Sequence, residues 1–105
     1  MKNNFLVKPL PQVYNDLDLI EEYYLLEFSD TTAKKVRKSI MVSWRRLEMF
    51  PNSGMFTPND KWNKKGYRMV LSGQYASLYF LEGDTVYIER VISTKTNYQE
   101  IFNEN

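Results

Sequence analysis

The sequence predicts an α+β domain spanning residues 1–105, in which an N-terminal strand and a helical hairpin pack on an antiparallel sheet of about four strands. Three observations predict it. Residues 66–98 hold three alternating runs separated by two tight turns, a meander. Two segments ahead of it repeat apolar residues at helical spacing, and a short apolar run opens the chain.

Phe5-Leu6-Val7 with Leu10, broken by Pro9 and Pro11, reads as a strand that joins the meander; proline limits where it can pair. Pro11 suits the first turn of a helix. From Gln12 to Phe28, Val13, Leu17, Ile20 and Tyr24 form one apolar stripe on a mainly acidic helix. Ser29-Asp30-Thr31-Thr32 supplies N-cap residues for a second helix, in which Ala33, Val36, Ile40, Trp44 and Leu47 keep the spacing up to Phe50, where Pro51 stops it. So short a link makes the two helices an antiparallel pair with their apolar faces on one side of the sheet, and Trp44 and Phe50 are expected in the core.

Pro51 to Lys65 reads as a long polar loop of the kind that is often functional or mobile, with Phe56 and Trp62 as its anchors. In the meander, Gly66 to Leu71 alternates, Ser72-Gly73 turns, Gln74 to Leu81 sets Tyr75, Ser77 and Tyr79 against Ala76, Leu78 and Phe80, and Glu82-Gly83-Asp84 turns into Thr85 to Ser93. Strands joined this closely are antiparallel neighbours. Tyr75, Tyr79 and Tyr87 weigh more toward sheet core than toward stacking platforms. Thr96 to Phe102 is expected to form a last helical turn with Tyr98, Ile101 and Phe102 facing inward.

The chain has no cysteine and no histidine. Disulfides, thiolate chemistry, a Ser-His-Asp triad, a histidine base and most catalytic zinc sites are excluded, and neither a metal nor a cofactor is expected. Any acid–base chemistry falls to Lys, Arg, Tyr, Asp or Glu, whose ordinary pKa values lie far from 7. No stretch resembles a signal peptide or approaches the roughly 20 apolar residues of a membrane span, so a cytoplasmic protein with no membrane contact is expected. The net charge of +1 hides segregation: six acids and no base from Asp16 to Asp30, then ten bases and two acids from Ala33 to Arg68. Such asymmetry suits a polyanion or an acidic protein partner, and equally suits two helix faces that attract one another across the hairpin.

The order of these features, with Leu47-x-x-Phe50-Pro51-x-x-Gly54, a basic loop, Gly66-Tyr67-Arg68-x-x-Leu71-x-x-x-Tyr75-x-x-x-Tyr79 and Tyr87-x-x-Arg90-Val91, resembles the RelE/ParE superfamily of type II toxins, the plasmid stabilisation proteins. The resemblance runs from Phe5 to Phe102 and implies a toxin neutralised by a cognate antitoxin protein. In the RelE branch such a toxin is an mRNA interferase, a ribosome-dependent endoribonuclease that blocks translation; in the ParE branch it inhibits DNA gyrase. The mRNA endoribonuclease is the first expectation here and the gyrase inhibitor the alternative, with an inactive antitoxin-binding relative behind both.

The resemblance implies Arg68, Arg90, Lys95 and Tyr98 as catalytic candidates, and Lys61, Lys64, Lys65 and Tyr75 as RNA-binding candidates. Arginine suits charge on phosphoryl oxygens through its planar fork of donors, a lysine or tyrosine beside other cations suits proton transfer, and a tyrosine ring suits base stacking. One departure is marked: Tyr75 occupies the family's Tyr-Arg pair, but Ala76 replaces the catalytic arginine. Other roles stand beside the catalytic ones. Arg68 can pair with Glu89 or Glu82 across strands, and Arg90 can be a structural ion-pair partner. The antitoxin is expected on the basic face of the sheet or in the groove between helices and sheet.

Overall fold

The computed structural model of the chain describes residues 4–95. Strand β1 (Leu6–Pro9) leads into helix α1 (Pro11–Glu27), which is followed by α2 (Asp30–Ser43) and a 3-10 turn over Arg45–Glu48. A short helix α3 (Asp60–Lys64) precedes the meander β2 (Arg68–Ser72), β3 (Tyr75–Glu82) and β4 (Thr85–Ser93). The expected final turn at Thr96 to Phe102 lies outside the described residues. No helix among the described residues is long and apolar enough to cross a membrane.

Both long helices start where the sequence places them. Pro11 opens α1 after an extended Leu10, and the Ser29 hydroxyl caps α2 by accepting from the Thr32 amide at 3.1 Å. Val13 and Leu17 are fully buried, with Ile20 and Tyr24 packed beside them. From α2, Ile40, Trp44 and Leu47 enter the same cluster, and the Trp44 indole N–H donates to Ser77 Oγ at 2.8 Å. That buried bond pins the end of the hairpin to β3.

The second helix does not continue to Phe50. It ends at Ser43, and the chain tightens into the 3-10 turn through Trp44 N to Met41 O and Leu47 N to Trp44 O, which lets Leu47 drop into the core. Phe50 is thereby turned outward and is 61% exposed, against the expectation that it lies in the core.

The sheet runs β1-β4-β3-β2. The meander pairs are antiparallel, as expected, but β1 lies parallel to β4, with Leu6 opposite Thr85 and Pro9 opposite Ile88. A parallel neighbour requires a long crossover, and the helical hairpin followed by the meander supplies it. The sheet is therefore mixed. Between β3 and β4 the register shifts, so that Leu78 faces Arg90 while Tyr79 faces Ile88, leaving Glu89 as the extra residue of a bulge.

Alternation along the strands builds two apolar layers. Tyr75, Tyr79, Val86, Ile88 and Val91 face the helices, whereas Met69, Ala76, Leu78 and Ile92 form a smaller cluster on the opposite face under Trp62 and Tyr67. The stretch before β2 is ordered by its own side chains rather than being an irregular loop. Asn63 Oδ1 accepts from the Thr57 amide and hydroxyl at 2.7 and 2.8 Å, while its amide donates back to Thr57 O at 2.9 Å. Asn59 caps α3 by accepting from the Trp62 amide. Trp62 anchors the segment as expected; Phe56 is 64% exposed and makes its contact with Arg68 instead.

Candidate functional site

The structure separates the candidate cations. Arg68, at the start of the edge strand β2, donates from Nη1 to Gly54 O at 2.9 Å and lies over the Phe56 ring at 4.8 Å from its centroid. It thus holds residues 54–56 against the sheet rather than pairing with Glu89 or Glu82. Gly54 allows this approach: a Cβ there would stand 2.5 Å from Tyr79 Oη and 2.6 Å from Met69 O. Tyr79 Oη accepts from Gly54 N at 2.9 Å and donates to Pro51 O at 2.7 Å. Burial raises its pKa above the ordinary tyrosine value, although Gly54 N and Arg68 favour the phenolate.

Arg90 forms the structural ion pair. Its Nε and Nη2 donate to Asp16 Oδ2 and Oδ1 at 2.9 and 3.2 Å, and the Val91 amide donates to Asp16 Oδ2 at 2.9 Å. The local cause is the shortness of β1, which ends opposite Ile88 and leaves the next edge amide of β4 without a strand partner. Asp16, on α1 and 6% exposed, takes that place. Lys95 is exposed just past β4, its amide donating to Ser93 Oγ at 3.2 Å. Arg68 pairs with Tyr79, which faces Ile88, so Lys95 lies two strands away and seven residues further along, roughly 25 Å from Arg68 at about 3.3 Å per residue and about 4.8 Å per strand. Tyr98 lies outside the described residues.

Tyr75 is buried beneath α1, its hydroxyl 3.3 Å from that of Tyr24, which also accepts from Gln74 Nε2 at 2.9 Å. Burial first, and the Tyr24 contact second, push its pKa up to about 12. Its ring is closed to a stacking base. Ala76, where the resemblance implies an arginine, is fully buried in the smaller cluster beneath Trp62 and Tyr67.

What the structure does bring together lies on the sheet face away from the long helices. Trp62, Tyr67, Phe80 and Tyr87 form a row across α3 and the strands, with successive centroids 4.3, 5.2 and 5.3 Å apart. All four are half-buried. At one end Lys65 Nζ lies 5.6 Å over the Trp62 ring, with Lys61 and Lys64 exposed on α3; at the other, Lys8 on β1 stands opposite Tyr87. Tyr67 donates to Glu89 Oε1 at 2.8 Å, and burial, then that carboxylate, raise its pKa. Half-buried rings between lysines offer flat apolar area beside positive charge, which suits a base, a phosphate-bearing strand or the acidic rim of a protein. Sequence reasoning gave Lys61, Lys64 and Lys65 as RNA-binding candidates without this row beside them, and weighed Tyr87 more toward sheet core than toward a stacking platform. The signal was available: Phe80 and Tyr87 have opposite parity to Tyr79, Val86 and Ile88, so they stand on the other face.

The fold has a solved counterpart. The chain matches a structure of the chromosomal ParDE TA system from P. aeruginosa with a TM-score of 0.77 at 17% identity, over 90% of this chain and 100% of that one. No protein-family profile and no curated protein matches the sequence. At this identity the likeness establishes the fold: helical hairpin, 3-10 turn and mixed four-stranded sheet.

A groove of about 550 Å3 lies on the helical side of this fold, between the hairpin and β1. Val7, Pro9, Tyr14, Met41 and Val42 supply its apolar lining, and Lys34, Lys38 and Arg45 its positive charge. Arg37 closes one wall, donating to Asp18 at 2.9 Å and Glu21 at 2.8 Å, with its pKa raised chiefly by the Asp18 bond. Among the described residues no group of three or more acidic side chains could hold a metal ion.

Proposed function

We propose that the protein is the toxin of a type II toxin–antitoxin module, a growth inhibitor, and that it acts by binding DNA gyrase rather than by cutting RNA. The shared fold and the toxin–antitoxin system of its structural counterpart support the first part. The second rests on one observation: Ala76 is sealed at the catalytic-arginine position, while Arg68 and Arg90 are held by Gly54 O and Asp16. Phosphoryl transfer needs its charge-stabilising groups on one phosphate, and here they diverge. The aromatic row with its lysines is the target-docking surface, and the groove beside β1 receives the antitoxin through an acidic, apolar segment.

The test is a gyrase supercoiling assay with excess purified protein. Inhibition relieved by the antitoxin is expected; unimpaired supercoiling rules the reading out.

A second reading is favoured by the row itself. A ribosome-dependent mRNA endoribonuclease would stack bases on Phe80 and Tyr87 with lysines on the phosphates. End-mapping of a defined mRNA in a reconstituted translation system, with and without ribosomes, decides it. Cuts confined to A-site codons would establish this second activity and displace the first.

A further inference from the structure

Helix α1 is apolar on two faces. The inward stripe is Val13, Leu17, Ile20 and Tyr24. Leu19, Tyr23 and Leu26 stand at i, i+4 and i+7 on the face away from α2, and remain 65%, 52% and 74% exposed. Phe28, 63% exposed, extends the stripe past the helix end, its ring stacked on Tyr24 at 5.5 Å and edge-on to Tyr23 at 6.3 Å. Four large apolar side chains held side by side on an ordered helix form a contiguous patch rather than scattered exposure.

The charges around the patch select its occupant. Glu22 and Glu27 flank it, and neither forms an ion pair among the described residues. No base occurs between Asp16 and Asp30. A second copy docked face to face through α1 would set one acidic rim against another. The chain's own last residues, 96–105, carry Glu100 and Glu104 and no base, so they share the same sign. An anionic lipid surface is repelled likewise. A segment that buries apolar residues while presenting lysine or arginine meets both requirements.

We propose that the outer face of α1 docks a basic amphipathic helix of a partner protein, with apolar residues of that helix over Leu19, Tyr23 and Leu26 and its cations against Glu22 and Glu27. The surface is separate from the lysine-rich row and from the groove beside β1, and it does not depend on the activity proposed above. It gives the chain two docking surfaces of opposite charge preference, so that one partner can be held while another is engaged.

The test uses the full chain and two designed helical peptides with leucines at i, i+4 and i+7, one flanked by lysines and one by glutamates, each labelled for fluorescence anisotropy. The lysine peptide is expected to bind at least about tenfold more tightly than the glutamate peptide, to weaken as salt rises, and to lose about tenfold with Leu26→Lys or with Tyr23→Lys. Both substituted positions are solvent-exposed, and circular dichroism confirms that the variants are folded. Equal binding of the two peptides, or unchanged binding by both variants, overturns the proposal. A concentration-dependent dimer abolished by Leu26→Lys would overturn it in favour of a second copy. A tenfold gain for the lysine peptide on Phe102→Lys in the full chain would overturn it in favour of the chain's own end.

Discussion

The two faces of the sheet are made by the same strands and serve different ends. Toward the helices, alternate residues of β3 and β4 are sealed, and their polar atoms are answered inside the protein: Trp44 by Ser77, Tyr79 by Pro51 and Gly54, Val91 by Asp16. On the opposite face a small buried cluster gives way to half-buried rings between lysines. A cation placed on the first face is consumed by structure, as Arg68, paired with Tyr79, is by Gly54 O. One placed on the rim of the second remains available. Position in the sheet, rather than residue type, therefore decides which basic residues can act on a target.

The largest expected effect tests the sealed face. Leu17→Ala should destabilise the fold by about 3 kcal/mol, since Leu17 is fully buried and its loss leaves a cavity between α1 and the sheet. Denaturant unfolding measures it, and a loss below 1 kcal/mol would mean that the helices are not what closes this face. Asp16→Ala should cost about 2 kcal/mol by the same measurement, because a buried amide and a partly exposed guanidinium lose their acceptor together; Asp16→Asn should recover part of it.

The open face should show the converse pattern. Tyr87→Ala is expected to change stability by about 1 kcal/mol or less and to raise the protein concentration needed for half-inhibition of supercoiling about tenfold, as loss of an aromatic anchor does. If stability collapses and inhibition per folded molecule is unchanged, the row is core and not a docking surface. Replacing Lys61 and Lys64 together by glutamine should weaken inhibition only a few-fold and flatten its salt dependence, since exposed charges act mainly through screened attraction.

The last effect concerns pH and is confined to alkaline solution. Tyr75 holds its proton more tightly when folded, with a pKa of about 12 against an ordinary value of 10.0. The folded chain therefore binds more protons than the unfolded one between those values. The resulting stability is fully present below pH 10 and is lost as pH rises toward 12. Tyr75→Phe should flatten this part of a stability–pH curve; an unchanged slope would assign the alkaline loss to other tyrosines.

Much of this architecture was legible in the sequence because it rests on local periodicity. Val13, Leu17, Ile20 and Tyr24 mark the buried stripe of α1, and the alternation of Tyr75 to Phe80 separates the two faces of β3. The direction of β1 was not legible, since Phe5-Leu6-Val7 has the same pattern whether it runs parallel or antiparallel to β4. Nor was the end of α2: helical spacing persists through Leu47 although a 3-10 turn delivers it to the core and leaves Phe50 outside. The candidate site was less legible still. Arg68, Arg90 and Lys95 are near one another as motif residues, but strand register sends Arg68 to the far edge and a carboxylate 74 positions earlier claims Arg90. The parity of Phe80 and Tyr87 was readable, yet which face the helices cover is a tertiary fact.

Asp16 also ties the folding of the two halves together. Its carboxylate closes an edge that β1 is too short to close, across a sequence separation of 75 residues from the Val91 amide. The meander can form from local contacts, but that amide gains its acceptor only when α1 has docked. Native-state hydrogen exchange at Val91 thus reports the lifting of a helix rather than the fraying of a strand, and its opening free energy should fall in step with global stability in Leu17→Ala. The bond makes the hairpin and the sheet one cooperative unit.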